Sequence, residues 1–172
     1  MSALSEIIRR IDDIEAWREF EKTPDDRIYP SVRVYNKSDV TIAHDTLTAV
    51  TFDTENWDTI DNNWVIGSPT RLTVHRPGVY AIFGNVVYTA NANGVRGLTI
   101  EVNGLTRIAS VHMNISHATW SERLCLSCRW RFVKNDYVEL LAYQSSGGNL
   151  DIRRLSDYSP VFEMTMVAPY YP

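Results

Sequence analysis

From Pro30 onward the chain alternates apolar and polar residues with a period of two, and turn residues interrupt that alternation repeatedly. This pattern calls for strands, because successive side chains of a strand point to opposite faces. Residues 31–36 read SVRVYN, with Val32 and Val34 on one face; 46–52 read TLTAVTF, 70–75 read TRLTVH, and 79–89 read VYAIFGNVVYT, a long apolar strand. The runs 97–102 and 105–111 flank Asn103-Gly104, a dipeptide that favours a two-residue hairpin. The runs 120–132, 137–144, 150–154 and 161–167 complete a set of ten. Turn signals at Pro77-Gly78, Asn93-Gly94, Lys134-Asn135-Asp136, Gly147-Gly148 and Ser159-Pro160 separate most of them. Ten short strands at this spacing predict an all-β sandwich or closed barrel.

The first 22 residues behave differently. Leu4, Ile7, Ile11 and Ile14 are spaced by three, four and three residues, an a/d seam on one side of a short α-helix with Ser2 as its N-cap. Glu6, Arg9, Arg10, Asp12, Asp13 and Glu15 form the charged outer face, and Arg18 interrupts the seam at the next a position. A lone helix this short is marginal in water. It needs the same helix from other protomers, a surface to dock on, or its own domain to pack against. The narrow stripe favours oligomerisation or anchoring through Leu4, Ile7, Ile11 and Ile14. Thr23-Pro24-Asp25-Asp26 ends the helix. The expected organisation is therefore a helix over 1–22, a linker over 23–30 and a head domain over 31–172.

The length of 172 residues suits one domain, which at that size buries roughly two-thirds of its unfolded surface and needs neither disulfide nor metal to fold. A formal net charge of -4, with 22% charged residues, argues against nucleic acid as a partner, which wants a basic field. No run of about 18 apolar residues is present, so no membrane insertion by a helix is expected. Residues 1–10 hold Ile7 and Ile8 but no apolar stretch of secretory-signal length. An aromatic content of 11%, with five Trp and nine Tyr, suits the pleated, half-buried surface of a sheet.

The motif most open to misreading is Cys125-Leu-Ser-Cys128, since a C-x-x-C can serve zinc or redox chemistry. On an alternating strand, Leu124, Leu126, Cys128, Trp130 and Phe132 share one face, and Arg123, Cys125, Ser127, Arg129 and Arg131 share the other. An offset of three puts the two sulfurs on opposite faces, so Cys128 is expected as a small core hydrophobe and Cys125 as an outward residue. His44, His75, His112 and His117 show no metal-binding spacing. Nucleophile elbows and phosphate loops are absent from the sequence. No catalytic residue, cofactor or metal is expected. Asp53, Glu55, Asp58 and Asp61, with Asn56, Asn62 and Asn63, make an acidic loop. Its oxygens could hold calcium, but the spacing is not that of an EF-hand, and a solvated loop is the expectation. The same loop carries Trp57 and Trp64, which either cover the end of the barrel or offer an amphipathic contact surface. Trp57, Trp64 and Trp120 are the candidate ligand contacts.

Residues 31–170 resemble the jelly-roll heads of the complement component 1q and tumour-necrosis-factor superfamily. Pro77-Gly78-Val79-Tyr80-Ala81-Ile82-Phe83 is similar to the family's G-x-Y-x-F strand, with Ile82 in place of the usual aromatic. Ile100-Glu-Val-Asn-Gly104 resembles its strand-turn, and Lys134-Asn-Asp-Tyr-Val-Glu-Leu140 its G-D-x-V-x-L strand, with Asn135 replacing Gly. Ser159-Pro-Val-Phe162 and the run 164–170 resemble its final strand. The resemblance implies a ten-stranded jelly roll that assembles as a homotrimer around aromatic and aliphatic side chains, and binding rather than catalysis. The segment 31–52 looks more like the versions found in bacteriophage structural proteins than like animal ones. A short helix stands where animal relatives carry a collagen stalk. The functional expectation is a virion-surface protein of a bacteriophage, decorating a capsid or serving as an accessory head or fibre protein, with a capsid or tail protein as partner and release outside the cell on lysis. The alternatives are a fibre-tip adhesin for a host-surface glycan and a secreted lectin-like module.

Overall fold

The computed structural model describes residues 29–60, 62–115 and 117–169. The expected N-terminal helix, with Leu4, Ile7, Ile11 and Ile14, and most of the linker lie outside these residues. Twelve strands are present among them: β1 (Ser31–Tyr35), β2 (Val40–Ile42), β3 (Thr48–Ala49), β4 (Thr54–Asp58), β5 (Arg71–Thr73), β6 (Gly78–Tyr88), β7 (Val95–Val102), β8 (Thr106–Asn114), β9 (Glu122–Phe132), β10 (Tyr137–Gln144), β11 (Leu150–Ile152) and β12 (Val161–Pro169).

The strands form two antiparallel sheets facing each other as a jelly-roll sandwich. One has seven strands: β6 pairs along its whole length with β9, and on its other side first with β12 and then with β11. From β12 the sheet continues to β1 and β4, and from β11 to β2. The other has five strands in the order β3-β10-β7-β8, with β5 beside β3 on the same edge of β10. The core between them is continuous. Tyr80, Ile82, Val86 and Tyr88 of β6 point into it with Leu98, Ile100, Leu140, Phe162 and Met164. Phe52 stacks on Phe162 with ring centroids 6.0 Å apart, and Tyr80 meets Phe132 edge-on at 5.7 Å, both favoured aromatic geometries. Gly84 lets the sheets approach, because a Cβ there would collide with Leu140 Cδ1.

Ten strands were expected and twelve are found, for a local reason. Residues 54–58, read as part of an acidic loop, form β4, an edge strand that pairs only with β1. Its sequence TENWD leaves Glu55, Asn56 and Trp57 exposed, so it carries no apolar alternation to announce it. The three residues of β2 are too few to show a period. The run 46–52 pairs only at Thr48–Ala49; Val50 and Phe52 are nevertheless buried, their amides donating to Leu140 O and Pro69 O. The 120–132 run begins its pairing at Glu122, which leaves Trp120 in the preceding turn.

Other expectations hold. Asn103 and Gly104 both take positive φ, 55° and 66°, and join β7 to β8. The cysteines are unbonded and lie on opposite faces of β9, Cys125 exposed and Cys128 half-buried.

Candidate functional site

The strand registers define two ends of the sandwich. Gly78 pairs with Phe132 and Pro169, and Ser31 lies across from Thr165. The chain therefore enters β1 and leaves β12 at the same end. The β7–β8 and β9–β10 turns lie there too, latched together by Asn103 Nδ2 donating to Asp136 Oδ1 (2.8 Å) and by the Tyr137 amide donating to Asn103 Oδ1 (2.9 Å). The β6–β7, β8–β9 and β10–β11 connections lie at the opposite, free end.

The acidic segment lies toward the end where the chain enters, and its carboxylates are already used. Asp58 accepts from the amides of Asn63 (2.7 Å) and Trp64 (3.2 Å) and from Asn63 Nδ2. Asp53 accepts from the Lys37 amide and from Thr54 Oγ1. Both close loops, and no group of three or more His, Cys, Asp or Glu among the described residues is placed to hold a metal ion.

The three tryptophans are separated. Trp64 packs against the core and donates to Pro69 O at 3.4 Å; it covers the sandwich rather than standing free. Trp57 lies on the outer face of the seven-stranded sheet at its β4 edge. Its indole donates to Ser31 Oγ (3.0 Å), and the Arg33 guanidinium lies 5.4 Å from its ring, within cation–π range. Trp120 stands at the free end, 73% exposed, with the His117 ring 6.2 Å away.

The two outward sheet faces differ in character. On the five-stranded sheet the polar groups are paired. Glu139 accepts from Thr70 Oγ1 (2.6 Å) and Arg71 Nε (3.3 Å), Arg71 covers the Tyr137 ring at 4.0 Å, and Thr99 shares a hydrogen bond with Ser110 at 2.9 Å. On the seven-stranded sheet the centre is Phe83, with Val79, Ala81 and Val161 along the same face. Phe83 separates two open depressions of about 360 and 480 Å³. The first holds Ser127, Arg129, Glu163 and Thr165, the second Arg33, Asn85, Arg123 and Tyr158. Arg33 is paired to Glu163 at 2.9 Å.

Folds of this outline are known. The globular domain of zebrafish complement 1qA superposes with a TM-score of 0.58 at 15% identity, over 82% of this chain and 99% of that one. Murine APRIL gives 0.62 at 8% identity, over 81% and 100%. Eiger TNF from S. frugiperda gives 0.60 at 11% identity, over 85% and 97%. The chain thus has the jelly-roll fold of the complement 1q and tumour-necrosis-factor heads. No family model matches the sequence, and no curated protein matches it.

Sequence reasoning missed Phe83. A signal was present, since β6 is apolar on alternate residues of both faces, the mark of a strand covered on both sides.

Burial is the largest cause of the shifts at the core tyrosines. Burial pushes the Tyr80 phenol up to about 12 against the opposing charge of Arg76. Burial likewise raises Tyr88, whose hydroxyl donates to Gly97 O (2.9 Å) and Tyr143 O (3.1 Å). Arg96 is fully buried, and its guanidinium donates to the carbonyls of Asn91, Asn93 and Val95. It ties down the β6–β7 loop at the free end. Burial also raises the Cys128 thiol.

Proposed function

We propose that the protein is a non-enzymatic homotrimer that packs through the outer face of its seven-stranded sheet and binds another macromolecule. We further propose that it serves on the virion surface of a bacteriophage, as a capsid decoration or accessory head or fibre protein. The observation that carries the trimer is the contrast between the two sheet faces. One is a lattice of satisfied polar pairs. The other has an apolar centre at Phe83, Val79, Ala81 and Val161, small residues beside it at Ser127 and Thr165, and arginines at 33, 123 and 129 around it. An apolar centre within a polar rim rich in Arg is the anatomy of a subunit interface. The complement 1q and tumour-necrosis-factor outline fits a head of this kind. The virion placement rests on the likeness of residues 31–52 to phage structural proteins.

Light scattering at micromolar protomer concentration should give three protomers. Phe83→Asp places a charge at the centre of the interface and should give a monomer with an unchanged strand content. A monomeric parent protein, or a trimer that survives Phe83→Asp, would refute the packing face. Mass spectrometry of purified particles from the phage that encodes the chain tests the virion placement; recovery only in the soluble lysate would refute it.

A second reading, an adhesin for a host-surface glycan, is favoured by one observation. Trp120 is 73% exposed at the end of the sandwich away from the chain's entry and exit.

A further inference from the structure

The loops at the free end gather arginines that lie far apart in sequence. Arg123 stands on the outer side of β9 opposite Val87 of β6. Across Val87 from it lies Arg153, whose amide donates to Val87 O at 2.7 Å. The Arg153 guanidinium reaches Ser121 Oγ at 3.1 Å, beside Trp120. Arg123 lies 4.9 Å from the ring centre of Tyr158. The β11–β12 loop that carries Arg153 and Tyr158 is fixed by Ser159, which accepts from the Val87 amide (2.9 Å) and donates to Arg153 O (2.9 Å), and by Asn85 Nδ2 donating to Tyr158 O.

Two facts make this more than a solvated surface. First, Arg123, Arg153 and the neighbouring Arg154 are exposed, and none has a carboxylate within ion-pairing distance among the described residues. Asp39 meets the backbone amide of Arg154 rather than its guanidinium. In a chain of net charge -4, positive charge is thus collected locally without a direct ion pair among the described residues. Second, two exposed aromatics lie close by: Tyr158, 42% exposed, against Arg123, and Trp120, 73% exposed, next in sequence to Ser121, which accepts from Arg153. Guanidinium groups recognise carboxylate or phosphate through paired hydrogen bonds, and an exposed indole offers an apolar face with a polar edge.

We infer that this cluster is a binding site for an acidic saccharide, in which Arg123 and Arg153 hold the carboxylate or phosphate and Trp120 stacks on the sugar ring. The inference rests on the adhesin reading and names its ligand chemistry. The backbone under the site is held by strand pairing and by Ser159, and Ser121 Oγ holds the Arg153 guanidinium, which lowers the ordering cost of binding.

The test is biolayer interferometry with the full chain on polymer-bound sialyllactose, polymer-bound phosphorylated mannose and polymer-bound lactose, with inorganic phosphate as competitor. Binding to at least one acidic probe, and none to lactose, is expected. Arg123→Gln/Arg153→Gln should weaken it about tenfold or more, a loss of about 1.4 kcal/mol, and Trp120→Ala should do the same. Raising ionic strength from about 0.01 M to about 1 M should weaken it further. An unchanged melting temperature shows that each variant is folded. Equal binding to lactose would overturn the acidic chemistry while leaving the adhesin reading standing. Binding to none of the three probes, retention in either variant, or equal competition by inorganic phosphate would overturn the site. A monomeric mass with intact sialyllactose binding would refute the trimer and leave the site in place.

Discussion

The core tyrosines make the fold sensitive to alkali, and Tyr80 gives the effect a magnitude. Its hydroxyl donates to Arg76 O at 2.7 Å, and its ring packs edge-on against Phe132. Burial raises the phenol from 10.0 to about 12. The folded state therefore holds the proton more tightly than the unfolded state. The resulting stability is complete below pH 10.0 and is lost as pH rises through about 12. Two pKa units correspond to about 2.7 kcal/mol; the effective dielectric response even of buried sites reduces this to about 1–2 kcal/mol. Tyr80→Phe removes the titration. At neutral pH it costs about 1 kcal/mol, because the hydrogen bond to Arg76 O is lost. Urea unfolding followed by tryptophan fluorescence, at one protomer concentration so that assembly does not intrude, measures both proteins from neutral pH into the alkaline range. The parent should start more stable and fall faster, so that the two curves converge. Tyr88 is raised as well but is common to both proteins and cancels from the difference. Parallel curves across the range would refute the assignment of alkaline sensitivity to Tyr80.

Further outcomes follow from particular residues. Gly94→Ala should destabilise by about 2 kcal/mol or more, because φ is +76° there and the new Cβ would strike Ser145 O; a loss too small to detect in urea unfolding would sink that reading. In the Phe83→Asp monomer, where the outer face of the seven-stranded sheet is uncovered, a colorimetric disulfide reagent should modify Cys125 first and Cys128 at least about tenfold more slowly, since Cys128 is half-buried with a raised thiol pKa; equal rates would contradict the opposite-face placement. Arg96→Met should loosen the loop around Asn91 and Asn93, whose carbonyls it holds, and hydrogen exchange should quicken there while core strands keep their protection.

Much of the fold was legible because burial imposes a period. The alternation along β9 placed Cys125 and Cys128 on opposite faces, and the Asn103-Gly104 pair announced the only geometry that lets two successive residues take positive φ in a tight hairpin. What was not legible lacked that imprint. The edge strand β4 is polar because one neighbour suffices to hold it. The candidate binding cluster was invisible for another reason. Arg123 and Arg153 are drawn together only because β9 and the residues after β11 flank the same end of β6, and neither local sequence carries any trace of the other. Trp120 was singled out as a tryptophan; its partners were not. For Trp57 and Trp64 the alternatives separated: Trp64 covers the core, and Trp57 lies on the outer sheet face against Arg33.

The proposed assembly face and the proposed saccharide site share one strand, and their spacing on it decides whether they can be separated. Phe83 and Val87 both point outward from β6, four residues apart, which is about 13 Å along an extended strand. The two sites nevertheless meet, because Arg123 and Tyr158 line the same depression as Phe83; only positions farther apart than about 7–10 Å, with no shared partner, behave additively to within about 0.5 kcal/mol. Ala81 points outward on the other side of Phe83 and lines only the depression without Arg123, so Ala81→Asp should abolish the trimer while leaving the affinity for free, monovalent sialyllactose within a factor of about 2. Its affinity for polymer-bound sialyllactose should nevertheless fall by about a hundredfold, because three linked sites gain by effective concentration and one does not. Isothermal titration with the free sugar and interferometry with the polymer separate the two terms. If the monovalent affinity falls together with the trimer, each site is completed by a neighbouring protomer. The single-chain geometry of Arg123, Arg153 and Trp120 would then be only half of the binding surface.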